Sequence, residues 1–96
     1  MELYIIARFH ARTGCASAVQ EALATVLGPT RDEAGCISIH IFRSIRDPLL
    51  FYIQSRWTNE DAFEIHATLP HTVRFIALVE TLIDHPLDVT RARLIG

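Results

Sequence analysis

The sequence predicts an α+β domain of β-α-β-β-α-β order, the ferredoxin-like arrangement in which helices cover one face of a four-stranded antiparallel sheet. Three observations predict it. Segments 3–10, 36–44, 50–57 and 87–95 alternate their residues with the period of a strand. Helical spacing of apolar residues fills the gap before the second of these and the gap before the fourth. Arg46-Asp47-Pro48 supplies a tight turn between the second and third.

Leu3, Ile5, Ala7 and Phe9 form a fully apolar parity in the first strand, against the mixed Tyr4, Ile6, Arg8 and His10. Thr13-Gly14 closes it. A helix follows to about Leu27, with Ala16, Val19, Ala22, Leu23 and Val26 on one face. Gly28-Pro29 is expected to kink or interrupt it, with a last turn through Thr30–Glu33 ending at Gly35, a common C-terminal glycine position. In the second strand Ile37, Ile39 and Ile41 oppose Ser38, His40 and Phe42; in the third, Phe51, Ile53, Ser55 and Trp57 oppose Leu50, Tyr52, Gln54 and Arg56. Thr58, with Asp61 behind it, reads as a helix start. Leu69-Pro70 breaks that short helix, and Pro70 suits the first turn of another covering Thr72–Ile83. Asp84-His85-Pro86 ends it, and Leu87–Ile95 is the last strand.

The 96 residues make one domain, 1–96, half of them apolar, which argues against disorder. A net charge of −2 gives no basic footprint, so neither nucleic acid nor an anionic membrane surface is an expected partner. No apolar run approaches the roughly 20 residues that span a bilayer. The first residues lack the pattern of a secretion signal, so a cytoplasmic location is expected. Cys15 and Cys36 read as small buried or half-buried thiols, with a reactive cysteine or a disulfide as the alternative. The five histidines show no metal-type spacing, and no metal site is expected from it. With helices packed on the Ile5 parity, the other face still carries Tyr4, Ile6, Phe42, Leu50 and Tyr52. An open, semi-apolar sheet face predicts a homodimer. Arg8 and Arg56 belong to that face.

The concentrated chemical signal is Trp57–His71, W-T-N-E-D-A-F-E-I-H-A-T-L-P-H. Ala62 and His66 share one helical face, as do Phe63 and Ala67. His66 and His71 therefore flank a helix–helix corner beside an indole. His66 is the candidate base, since an imidazole titrates near neutrality, with a hydrogen-bonded core histidine as the bland alternative. His71 is the second catalytic candidate or a cap of its own helix. Trp57, Phe9, Phe63 and Phe75 are candidate walls of a pocket for a small aromatic or apolar substrate, or simply core. His10, His40 and His85 read as structural or exposed.

These residues resemble the antibiotic biosynthesis monooxygenase family of the dimeric α+β barrel superfamily. The likeness covers nearly the whole chain through E-A-G-C-I before the second strand, R-S-I-R-D-P at the hairpin, R-W-T-N-E-D-A-F entering the corner and H-A-T-L-P-H after it. It implies a pocket between sheet and helices, with Trp57, His66 and Pro70-His71 matching family positions. It also implies oxidation of quinols, anthrones or similar phenols by oxygen without cofactor. The family's haem-degrading branch uses an asparagine on the first strand, where Phe9 falls here, and an aromatic on the short helix, where His66 falls. It also uses a histidine on the next helix, and Thr72–Ile83 has none, so haem degradation is not expected. Two other readings compete: an isomerase of a small carbonyl or enediol signal, and a non-catalytic dimer that binds an apolar ligand.

Overall fold

Alternating burial along the strands settles which face each one turns to the helices. In the computed structural model, which describes residues 1–96, the elements are β1 Leu3–His10, α1 Ala16–Arg31, β2 Cys36–Arg43, β3 Leu50–Trp57, α2 Glu60–Thr68, α3 Pro70–Val79 and β4 Asp88–Ala92. They form one antiparallel sheet of order β2-β3-β1-β4. On β1, Leu3, Ile5, Ala7 and Phe9 are buried while Ile6 and Arg8 are exposed, as the alternation predicts. The register runs from Leu3 opposite Trp57 to His10 opposite Leu50, so Trp57 and His10 stand at opposite ends of the central strand pair.

Apolar burial is divided. Phe9, Leu23, Phe51, Phe75 and Val79 belong to one large cluster between α1, α3 and the sheet, while Leu3, Ile5 and Trp57 form a small one at the other end. The side chains between them do not fill the space, and that gap positions the site described below.

Several boundaries differ from the sequence reading, each for a local reason. α1 runs through Gly28-Pro29 to Arg31 without interruption. Pro29 sits near the helix end and forfeits only its own N–H bond, to the carbonyl of Thr25. Asn59, not Thr58, caps α2: its side chain accepts a 2.9 Å bond from the Ala62 N–H. A bulge between Cys36 and Ser38 turns Cys36 toward the core and leaves Ile37, expected on the covered face, 42% exposed. α3 ends at Val79 rather than Ile83, because the chain tightens into three-residue turns (Thr81 N–H to Leu78, Leu82 N–H to Val79) that bring Ile83 opposite Ala11. β4 is confined to Asp88–Ala92, where β1 offers partners, and Leu94 and Ile95 beyond it are exposed.

Candidate active site

Glu33 lies in the turn that joins α1 to β2, closed by bonds from the Glu33 N–H to the Thr30 carbonyl and from the Cys36 N–H to the Glu33 carbonyl. Gly35 lets this turn lie against α2. A Cβ there would stand 2.3 Å from the Ala62 Cβ, so the position demands close approach. It does not need a left-handed backbone; the glycine with positive φ is Gly14. The expectation of a C-terminal helix glycine at Gly35 is corrected accordingly: α1 has already ended at Arg31.

His66 occupies the last turn of α2, and Pro70 at the start of α3 delivers His71 one residue later. Both rings converge on a single carboxylate oxygen. His66 Nδ1 is 2.6 Å and His71 Nε2 is 2.8 Å from Glu33 Oε2, and the side chains of Glu33 and His66 are each only 11% exposed. The Thr72 hydroxyl lies 3.2 Å from His66 Nδ1. Each imidazole donates one N–H to the carboxylate, so both can be neutral with every short contact satisfied. Donation from Nδ1 leaves the His66 Nε2 lone pair without a partner in the chain. Trp57 packs against the His66 ring at 4.7 Å between centroids, and Phe63 at 5.6 Å, which fixes its plane. Nearby, burial first and the Glu33 charge second push the Cys36 thiol above its ordinary pKa.

Between the two apolar clusters lies a cavity of about 240 Å³. Phe9, Phe63 and Phe75 form aromatic walls, Ile5, Ile39 and Ile53 aliphatic ones, and His66, Thr30, Ser55 and Thr72 bring the polar atoms. Ser55 Oγ accepts the Trp57 indole N–H at 3.0 Å. The Thr30 hydroxyl is buried without any hydrogen-bond partner. Of the sequence candidates, His66, Phe9, Phe63 and Phe75 thus reach the cavity. Trp57 is fully buried behind it, and His71 stands outside the wall, joined to it through Glu33.

The family model for antibiotic biosynthesis monooxygenases matches residues 3–78. The chain belongs to the antibiotic biosynthesis monooxygenase family. It is 33% identical over 86 residues to Rv0793 of Mycobacterium tuberculosis, a candidate monooxygenase by name, covering 90% of this chain and 84% of that one. The solved structure of Rv0793 superposes with a TM-score of 0.94 over 100% of this chain and 97% of that one, at 28% identity. PA3566 of Pseudomonas aeruginosa follows with a TM-score of 0.91, 28% identity, and 99% and 95% coverage. No helix is long and apolar enough to cross a membrane.

Within this family member, sequence reasoning missed Glu33 and Thr30. An acid in a turn has no periodicity to mark it, and a threonine near a helix end reads as surface. The E-A-G-C-I segment contained the usable signal: a glycine that a helix packs upon puts its neighbours at a junction.

Proposed function

We propose that this domain oxidises a small phenolic substrate of the quinol or anthrone kind with molecular oxygen, using His66 as the base and no resident cofactor. The observation that carries the reading is the Glu33–His66 pair at the edge of an apolar cavity. Glu33 fixes the imidazole with Nε2 bare and stabilises the imidazolium formed when Nε2 takes a phenolic or benzylic proton, the same logic by which a buried carboxylate serves a catalytic histidine. The resulting anion is electron-rich and can reduce oxygen. One oxygen atom then enters the ring and the other leaves as water, the two electrons coming from the substrate, as in anthrone plus O2 giving anthraquinone plus water.

The cavity's size bears on substrate choice. At about 240 Å³ it lies below the roughly 300–1,000 Å³ of pockets for drug-sized ligands, so within this substrate class two-ring naphthoquinols fit better than three-ring anthrones. The unpartnered Thr30 hydroxyl suits an oxygen substituent on such a ring. The open sheet face, with Ile6 45% and Phe42 50% exposed, supports a homodimer; light scattering at micromolar concentration should give twice the chain mass.

Oxygen-electrode assays with naphthoquinols and anthrones test the reading. His66→Ala should lower turnover by roughly 10²-fold or more; unchanged turnover removes the proposed base. The isomerase reading draws on the second imidazole, since His71 shares Glu33 and could complete a proton relay. Product formation without oxygen would favour it.

A further inference from the structure

A second histidine–carboxylate cluster lies at the other end of β1, away from the cavity. His10 ends the strand, and Asp84 and His85 lie in the link from α3 to β4. His10 Nδ1 and His85 Nδ1 approach the same Asp84 Oδ1 at 2.7 and 2.6 Å, with the two rings 5.1 Å apart. All three ligand-capable atoms fall within 4.8 Å of one another. The other face of His10 also meets a carboxylate: Nε2 is 3.5 Å from Asp47 Oδ2.

The scaffold is held from several sides. The Asp84 N–H bonds to the His10 carbonyl at 3.0 Å, and the Arg12 N–H bonds to the Leu82 carbonyl at 2.9 Å. Asp47 spends its Oδ1 on the Leu49 N–H, and its own N–H donates to Ser44 Oγ, which leaves Oδ2 for His10.

A neutral imidazole has one N–H. His10 has a carboxylate oxygen on each side: Asp84 Oδ1 accepts from Nδ1–H at 2.7 Å, and Asp47 Oδ2 stands 3.5 Å from Nε2, too far for a short hydrogen bond. A metal ion bound to Nδ1 would take the place of the proton shared with Asp84; the imidazole N–H then sits on Nε2 toward Asp47, which plays the part that carboxylates commonly play behind a metal-bound histidine. We propose that His10, Asp84 and His85 bind a divalent transition-metal ion of the zinc class, with Asp47 orienting His10. Imidazole nitrogen with one carboxylate oxygen suits zinc, nickel or copper rather than calcium or magnesium. At metal–ligand distances of about 2.0–2.1 Å, tetrahedral donors stand roughly 3.3 Å apart. The present contacts must open slightly to admit the ion. His85, whose side chain is 62% exposed, can swing to do so, and solvent supplies the fourth ligand.

Calorimetric titration of the full-length protein with zinc chloride tests the site, with the visible absorption of cobalt(II) reporting its geometry. The expected result is one ion per chain, binding at least tenfold weaker in His85→Ala and about tenfold weaker in Asp47→Asn, and unchanged in His66→Ala. Circular dichroism of each metal-free variant should match the parent, because His85 is largely exposed. No zinc binding, equal binding by His85→Ala, or loss of binding in His66→Ala instead would overturn the assignment.

Discussion

Glu33 with His66 and His71, and Asp84 with His10 and His85, are two versions of one construction: a carboxylate oxygen met by two imidazole nitrogens at 2.6–2.8 Å. They differ in water and in a second carboxylate. The first is sealed beside the cavity, with side-chain exposures of 11%, 11% and 20%, and each ring needs to donate only once. Its remaining nitrogen, His66 Nε2, is left free as a base. The second is more open, at 33% for Asp84 and 62% for His85 although His10 is at 19%, and Asp47 Oδ2 stands 3.5 Å from the other nitrogen of His10. The same parts therefore suit proton transfer at one end of β1 and cation binding at the other. What separates them is the inventory of donors and the route to solvent, not residue type.

The sharpest way to break that contrast is Glu33→Gln. The amide is close to isosteric and can still accept from both rings, but it brings no charge to stabilise the imidazolium of His66. Turnover should fall by roughly 10²–10⁴-fold, within the range of general-base catalysis and of carboxylate-to-amide changes behind catalytic histidines. Zinc binding should be untouched. Full turnover in Glu33→Gln, measured with a quinol in the oxygen electrode, would mean that the buried cluster is a structural bracket only.

Gly35→Ala tests the junction that brings Glu33 to His66. The added methyl would meet Ala62 Cβ at 2.3 Å, so either α2 moves or the turn does. Overpacking of this kind costs about 1–3 kcal/mol, which for a domain of this size lowers Tm by about 4–8 °C per kcal/mol. Gly28→Ala is the comparison: its Cβ would meet nothing within 4 Å apart from its chain neighbours, so its cost is confined to crowding by Pro29 and Tm should fall less than in Gly35→Ala. Equal melting of the two variants would show that the turn and α2 are not rigidly packed.

The sequence made much of the frame legible because period-two burial is written directly in the residues. Leu3, Ile5, Ala7 and Phe9 could face only one way once helices covered the sheet. Pro70 likewise announced the corner that sets His66 and His71 side by side. What failed was anything decided by a single extra or missing residue. The bulge at Cys36–Ser38 reversed Ile37, because strand parity carries no mark of an inserted residue. The end of α3 moved because Ile83 pairs with Ala11, a partner 72 positions earlier in the chain. Glu33 and Asp84 were invisible for a related reason. Glu33 joins histidines from α2 and α3, and Asp84 joins its neighbour His85 to His10 at the far end of β1, so no local spacing records either full cluster.

The exposed cluster has its own pH signature. The His10 hydrogen bond, aided by that from His85, holds the Asp84 carboxyl below its ordinary pKa, with desolvation opposing. A carboxyl depressed in the folded state stabilises the protein above its unfolded value, about 3.9 for aspartate. That stabilisation is lost as pH falls through the lower folded value. Thermal melts should therefore place Asp84→Asn below the parent at pH 5–6, with the difference closing as pH drops below the usual carboxylate range. A difference that persists undiminished at the acid end would show that the Asp84 charge is not the source.

The smallest expected effect reads the charge of the buried cluster directly. Cys36 is pushed upward first by burial and then by Glu33, while Arg31 pulls the other way. Removing the Glu33 charge lowers the Cys36 pKa and enlarges its thiolate fraction, and the thiolate is the form that reacts. Alkylation of Cys36 by iodoacetamide at pH 8, followed by peptide mass spectrometry, should be faster in Glu33→Gln. Altered packing could also speed it, so His66→Ala serves as the comparison: it opens the same corner while keeping the carboxylate. Faster reaction in Glu33→Gln with little change in His66→Ala identifies an ionised Glu33 between the two imidazoles. Equal acceleration in both would assign the slow reaction of Cys36 to burial alone, and would leave the Glu33 side chain without the charge that the proposed base requires.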